Sequence, residues 1–129
     1  MIVLDTSFLI DYFRGLDVTR KLISKEDEFA TTAITYYEIF AGVRRKKSAE
    51  EKFFRRFFSE IKILLFDVKS ADEASNIAAK LLAIGKEVNA LDILIAGIAV
   101  ANGAEKILTR DRDFLEIAKV SDLEVVFYE

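Results

Sequence analysis

Between Val88 and Ala104 the chain reads VNALDILIAGIAVANGA, and Asp92 is the one charge in that stretch. Ala90 to about Asn102 has the length of a helix, yet it is apolar almost all round. A helix without a polar face is covered on most of its sides by other elements. A carboxylate inside it costs on the order of several kcal/mol unless a partner or a metal compensates the charge.

The surrounding pattern supplies the cover. Short apolar runs at 1 to 4 (MIVL), 28 to 32 (EFATT), 62 to 66 (KILLF), 106 to 109 (KILT) and 124 to 127 (EVVF) read as strands. Helical spacing fills the gaps: about Ser7 to Arg14, Asp17 to Ser24, Ala33 to Val43, Ser48 to Ile61, Ser70 to Ile84 with Gly85 as its stop, and Asp111 to Lys119. Phe53, Phe54, Phe57, Phe58 and Ile61 mark one apolar face, read as core or dimer contact. Strands alternating with helices predict an α/β fold, a mostly parallel five-stranded sheet covered by helices on both faces. Right-handed crossovers and an order such as 3-2-1-4-5 would follow naturally. The ligand site of such a sheet lies at the carboxyl ends of its strands, near the switch between strands 1 and 4. No Pro- or Ser-rich stretch, repeat or low-complexity tract divides residues 1 to 129, which read as a single domain.

Composition narrows the chemistry. With no Cys and no His among 129 residues, disulfides, Cys/His zinc sites and triads built on those residues are excluded. The first ten residues carry Asp5 and lack a basic region, so they do not read as a signal peptide, and no apolar run reaches the ~20 residues of a membrane span; a cytoplasmic location is expected. The net charge of −3 argues against a general nucleic-acid binder. Residues 44 to 56 nevertheless concentrate Arg44, Arg45, Lys46, Lys47, Lys52, Arg55 and Arg56 against Glu50 and Glu51, either a solvated face or an edge that meets phosphates.

Four carboxylates reach the carboxyl edge of the sheet from four segments. Asp5 directly follows the first strand and is the only charge between Met1 and Ile10. A helix leading into a parallel strand runs antiparallel to it, so Asp92, in the first turn of its helix, starts at that edge. Glu38 arrives in the first turns of the helix after strand 2, with Thr35 one turn earlier on the same face. Asp111 comes just past strand 4. Each has a local alternative: Thr35-x-x-Glu38 and Asn89-x-x-Asp92 resemble capping boxes, and Asp111 is a natural N-cap. Ser70-x-x-Glu73 carries the same signature beside the expected edge strand and is assigned no chemistry. Capping does not explain why Asp5 and Asp92 interrupt uncharged segments. Gathered acids without cations raise one another's pKa, and no Lys or Arg adjoins Asp5 or Asp92 in sequence. A divalent ion is the simplest compensation, and oxygen ligands select Mg²⁺ or Mn²⁺. Such a site suits phosphoryl transfer and needs no histidine base.

The stretches VLDTSFLID (Val3 to Asp11), TYYE (Thr35 to Glu38), ALDILIA (Ala90 to Ala96) and TRDRDF (Thr109 to Phe114) resemble the successive motifs of PIN domains, and the LIDYFRG segment resembles in particular the VapC toxins of toxin–antitoxin pairs. The resemblance implies a three-layer α/β/α domain with endoribonuclease activity dependent on Mg²⁺ or Mn²⁺. It implies the toxin of a type II toxin–antitoxin system, a homodimer, inhibited by a small VapB-like antitoxin whose C-terminal segment enters the active-site groove. Asp5, Glu38 and Asp92 match the family's first three acids; Asp111 matches the fourth, with Asp113 able to share or replace it. Thr6 or Ser7 is expected to orient Asp5, Thr35 and Thr109 to support the acids, and Arg110 and Arg112 either to contact phosphate or to cover the helix start. Two alternatives stand beside this: a nucleic-acid-binding or regulatory module of the same fold, and a phosphatase with Asp5 as nucleophile, which generally needs a second acid where Ser7 stands.

Overall fold

In the computed structural model, which describes residues 1–46 and 49–129, five strands pair into a sheet. They are β1 (Ile2–Leu4), β2 (Phe29–Thr32), β3 (Lys62–Leu64), β4 (Lys106–Thr109) and β5 (Glu124–Phe127). Their order is β3-β2-β1-β4-β5 and every neighbouring pair is parallel, as the alternation of strands and helices predicts. Seven helices are described: α1 (Thr6–Phe13), α2 (Asp17–Lys21), α3 (Ala33–Lys46), α4 (Glu51–Glu60), α5 (Val68–Ala83), α6 (Ala90–Ala101) and α7 (Asp113–Val120).

Successive side chains of a strand point to opposite faces, and the core divides accordingly. Ile2 and Leu4 of β1 join Phe8, Phe40, Phe54 and Phe58 on one face; Val3 joins Ile77, Leu81, Ile95, Ile98 and Phe114 on the other. Thus α1, α3 and α4 cover one side of the sheet and α5, α6 and α7 the other, three layers in all. Helix α6 is apolar all round because it is wedged between the sheet and α5. A Cβ on Gly97 would stand 2.6 Å from Ala74 Cβ and 2.7 Å from the Ser70 carbonyl oxygen, so only glycine permits this crossing.

Several boundaries differ from the expectation. Helix α5 starts at Val68 rather than Ser70, because Asp67 caps it: its Oδ1 accepts from the Ser70 amide at 2.9 Å and from Ser70 Oγ at 2.7 Å. Both Asp67 and Ser70 satisfy the sequence rule for a cap, and the earlier residue wins. Strand β3 ends at Leu64, leaving Leu65 and Phe66 exposed. Phe53, read as part of the buried stripe of α4, is 67 % exposed. Helix α1 begins at Thr6, α2 ends at Lys21 and α7 begins at Asp113 instead of Asp111. The expected start at Ser48, like Lys47 of the basic run, lies outside the described residues. Gly85 ends α5 as expected, at φ +70°, with the Lys86 amide donating to the Leu81 carbonyl. No helix among the described residues is long and apolar enough to cross a membrane.

Candidate active site

The carboxyl edge of β1 and β4 collects the polar residues singled out in the sequence. Asp5 follows β1, where its amide donates to the Leu108 carbonyl at 3.2 Å. It is 2 % exposed. Its Oδ2 accepts from Thr109 Oγ1 at 2.7 Å and from Ser7 Oγ at 2.9 Å, while its Oδ1 is buried with no hydrogen-bond partner among the described residues. Ser7 orients Asp5; Thr6, the alternative weighed for that task, turns elsewhere, donating to Glu38 Oε1 at 2.7 Å. Thr35 Oγ1 stands 3.1 Å from Thr6 Oγ1 and accepts from Thr32 Oγ1 at 3.3 Å. Thr32 also accepts from the Thr35 amide at 3.1 Å, so Thr32 starts α3, and Thr35-x-x-Glu38 is not a capping box.

Asp92, Asp111 and Asp113 form the tightest group: one carboxylate oxygen of each lies within 4.8 Å of the others. Asp92 is 6 % exposed in the first turn of α6. Asn89 caps that helix, accepting from the Leu91 amide at 2.9 Å, but the Asn89 amide donates to Asp113 Oδ2 at 3.0 Å and not to Asp92. Asp92 is thereby left to face other acids. Asp111 combines both readings, since its Oδ1 accepts from the Asp113 amide at 2.9 Å. Asp111 and Asp113 stand in the group together.

Electrostatics shows what this crowding does. Asp92 is pushed up to about 9 from an ordinary 3.8. Burial contributes most, then a hydrogen-bonding contact with Asp111, then the charges of Asp111, Asp5 and Asp113. Burial also raises Asp5; hydrogen bonds from Thr109, Ser7 and the Thr6 amide offset part of this, and Asp111 adds to the rise. Glu38 is raised by burial, opposed by the Thr6 bond, and raised further by Asp5 and Asp111. Five acids therefore influence one another, and among the described residues no ion pair joins Asp5, Glu38 or Asp92 to a cation.

Sequence reasoning passed over Asp11 and Tyr128. Asp11, 6 % exposed on α1, accepts from Arg110 Nε at 2.6 Å, Arg110 Nη2 at 3.1 Å and Tyr128 Oη at 2.8 Å. One signal was available: Asp11 lies among Phe8, Leu9, Ile10, Tyr12 and Phe13, with Arg14 the nearest charge in sequence. Arg110 is thus engaged by a carboxylate, and Arg112, the other expected phosphate contact, pairs with Glu129 and stacks over Phe127 at 5.4 Å.

The donor set suits a hard divalent cation. It consists of carboxylate oxygens only, three of them closely grouped, beside the buried, partnerless Asp5 Oδ1. The comparisons with known proteins agree with this chemistry. The PIN domain family matches residues 2–120. Ribonuclease VapC19 of Mycobacterium tuberculosis is 26 % identical over 118 residues, 88 % of this chain and 92 % of that protein. In FitAcB from Neisseria gonorrhoeae, a chain 27 % identical superposes with a TM-score of 0.77 over 99 % of this chain and 97 % of its own. In VapBC2 from Rickettsia felis, bound to a DNA fragment from its promoter, a chain 22 % identical reaches 0.81 over all of both chains. The fold, the acidic edge and the family match converge: this chain belongs to the PIN-domain family, with Ribonuclease VapC19 among its relatives and a chain of VapBC2 among its structural neighbours.

Proposed function

We propose that this PIN-domain nuclease is an endoribonuclease, the toxin of a type II toxin–antitoxin pair, and that Asp5, Glu38, Asp92, Asp111 and Asp113 hold its Mg²⁺ or Mn²⁺. The observation that carries the reading is the uncompensated acidic group around Asp92 together with the partnerless Asp5 Oδ1. A cation bound there would neutralise charge on the scissile phosphate and make water a competent nucleophile at neutral pH. The chain's own residues prepare for this. Ser7 and Thr109 hold Asp5 by one oxygen and leave the other to serve as a ligand. Thr6 fixes the Glu38 carboxylate. Asp113 ties the start of α6 to that of α7, so the helices bearing Asp92 and Asp113 keep a common register.

RNA is the proposed substrate. A groove of about 330 Å³ beside Glu38 is lined by Tyr37, Ala41, Gly42, Arg45 and Leu91, and a second, with Arg14 and Lys46 in its wall, also reaches Glu38. These cations can meet phosphates flanking the cut; Arg55 and Arg56 sit instead near Glu51 and Glu60 on α4. A VapB-like antitoxin whose C-terminal segment occupies the groove, a homodimeric toxin, action as one domain and a cytoplasmic location complete the proposal.

The test is cleavage of structured and single-stranded RNAs with Mg²⁺, with Mn²⁺ and after chelation. Activity is expected only with metal, and Asp5→Asn or Asp92→Asn is expected to lower it by more than about 100-fold, beyond the loss typical of residues that merely support a ligand. Full cleavage by both variants after thorough chelation overturns the reading. Mn²⁺ calorimetry showing no binding near neutral pH favours a non-catalytic binding module.

A further inference from the structure

We infer that Asp11 is a positioning residue for the acidic site: through Arg110 and with Tyr128 it sets the turn that presents Asp111 and Asp113. The inference rests on the proposed metal site and adds to it residues that touch neither cation nor substrate.

The turn from β4 into α7 carries both aspartates. Its inner side is held by hydroxyls: the Arg110 amide donates to Ser7 Oγ at 3.0 Å and the Asp111 amide to Thr109 Oγ1 at 3.0 Å. Its outer side is held by Asp11. The Arg110 guanidinium reaches across to α1 and grips both oxygens of Asp11, 99 residues earlier in the chain. Tyr128, just past β5, closes the group, its hydroxyl on Asp11 and its amide on the Thr109 carbonyl at 3.2 Å. Its ring meets Phe8, itself fully buried, edge-on at 5.9 Å. With Arg110 drawn toward α1, the next residue, Asp111, faces Asp92 across the site.

Stability alone gives little reason for this arrangement. The Asp11 carboxylate is buried while the Arg110 side chain is 48 % exposed, and replacing pairs of this kind by well-packed apolar residues is often neutral or stabilising. What a guanidinium fork on a carboxylate provides is direction, two parallel bonds that fix the orientation of the chain bearing it. Both oxygens of Asp11 are engaged, Oδ2 by Arg110 Nε and Tyr128 Oη and Oδ1 by Arg110 Nη2, and the guanidinium already supplies its countercharge. Its carboxyl sits below the usual range although burial pushes it up, because the bonds from Arg110 and Tyr128 and the guanidinium charge outweigh burial.

The deciding variant replaces the whole group by apolar residues, Asp11→Leu with Arg110→Met and Tyr128→Phe, which leaves no buried polar atom orphaned. Mn²⁺ binding by calorimetry, RNA cleavage and thermal unfolding are measured against the unaltered protein. The expected result is a melting temperature within a few degrees, Mn²⁺ affinity weaker by about 10–100-fold, and kcat lowered by a similar factor while KM for RNA stays within about threefold. Mn²⁺ affinity and kcat both within about twofold of the unaltered protein overturn the inference and leave the group a fold element only. Should the triple variant fail to fold, Tyr128→Phe alone decides: Mn²⁺ binding weakened about threefold or more supports positioning, and unchanged binding overturns it. Failure of the unaltered protein to bind Mn²⁺ is a different result, since it removes the metal site itself.

Discussion

Asp5 and Asp11 are six residues apart, similarly buried, and opposite in every other respect. Asp5 is 2 % exposed and receives two hydroxyls on one oxygen and nothing on the other. Asp11 is 6 % exposed and receives a guanidinium on both oxygens and a phenol besides. The first is raised above the ordinary carboxylate range and the second lowered below it. Burial by itself therefore does not mark a reactive acid. What distinguishes the candidate ligand from the structural acid is whether the fold supplies a cation of its own.

The strongest way to break this contrast is to remove one charge from each side. In metal-free protein, Asp5→Asn is expected to raise stability by about 1 kcal/mol or more, because it deletes a buried charge that lacks a counter-ion. Arg110→Met is expected to lower stability by about 1–2 kcal/mol, because Asp11 keeps only the Tyr128 hydroxyl, and the loss is moderated by the half-exposed position that the guanidinium vacates. Urea unfolding with chelator present measures both. Shifts of the same sign would show that the two aspartates do not differ in the way their surroundings indicate.

A smaller effect, opposite in sign for the two groups, is the response to pH. Asp92 has its pKa raised to about 9 from 3.8. The folded, metal-free protein thus holds a proton that the unfolded chain releases, and this contribution is full below about pH 4 and lost as pH rises through about 9. Asp11 is lowered, so its contribution is full above its ordinary 3.8 and lost as pH falls through its depressed value. Melting temperatures across pH 3 to 9 with chelator are expected to decline on the alkaline side. Asp92→Asn should flatten that side, Asp11→Asn should flatten the acid side, and excess Mn²⁺ should abolish the alkaline decline. An alkaline limb that persists unchanged in Asp92→Asn would refute the assignment.

The same contrast explains how much could be read from the chain. The parallel sheet covered by helices on both faces was legible because it depends on short apolar runs alternating with helical periods, a pattern that survives small errors at the ends. Those ends were less legible: Asp67 and Ser70 both look like caps, and only the path out of β3 selects between them. Asp5 and Asp92 stood out as solitary charges, and the structure buries both. Asp113 was named only as able to share or replace the place of Asp111, because in TRDRDF any acid resembles part of a solvated run; its bond to the Asn89 amide spans 24 residues. Asp11 also sits in an apolar run, with Arg14 three residues on, but its meaning depends on Arg110 and Tyr128, 99 and 117 residues away. A lone buried charge is visible in sequence; whether something neutralises it is a property of the fold.

The two arginines flanking Asp111 give the finest test of that point. Arg110 and Arg112 each hold a carboxylate at short range, 2.6 Å to Asp11 and 2.5 Å to Glu129. The side chains of Arg112 and Glu129 are 73 % and 68 % exposed, whereas Asp11 is 8 % exposed at its side chain. Water screens the outer pair and can replace either partner, so its distance says little about its worth. Arg112→Ala is therefore expected to change unfolding free energy by no more than about 0.5 kcal/mol, plus whatever small loss follows from uncovering Phe127. The same urea unfolding measures it. A loss approaching that of Arg110→Met would mean that contact distance outweighs burial at this edge, and the distinction between compensated and uncompensated acids would need another basis.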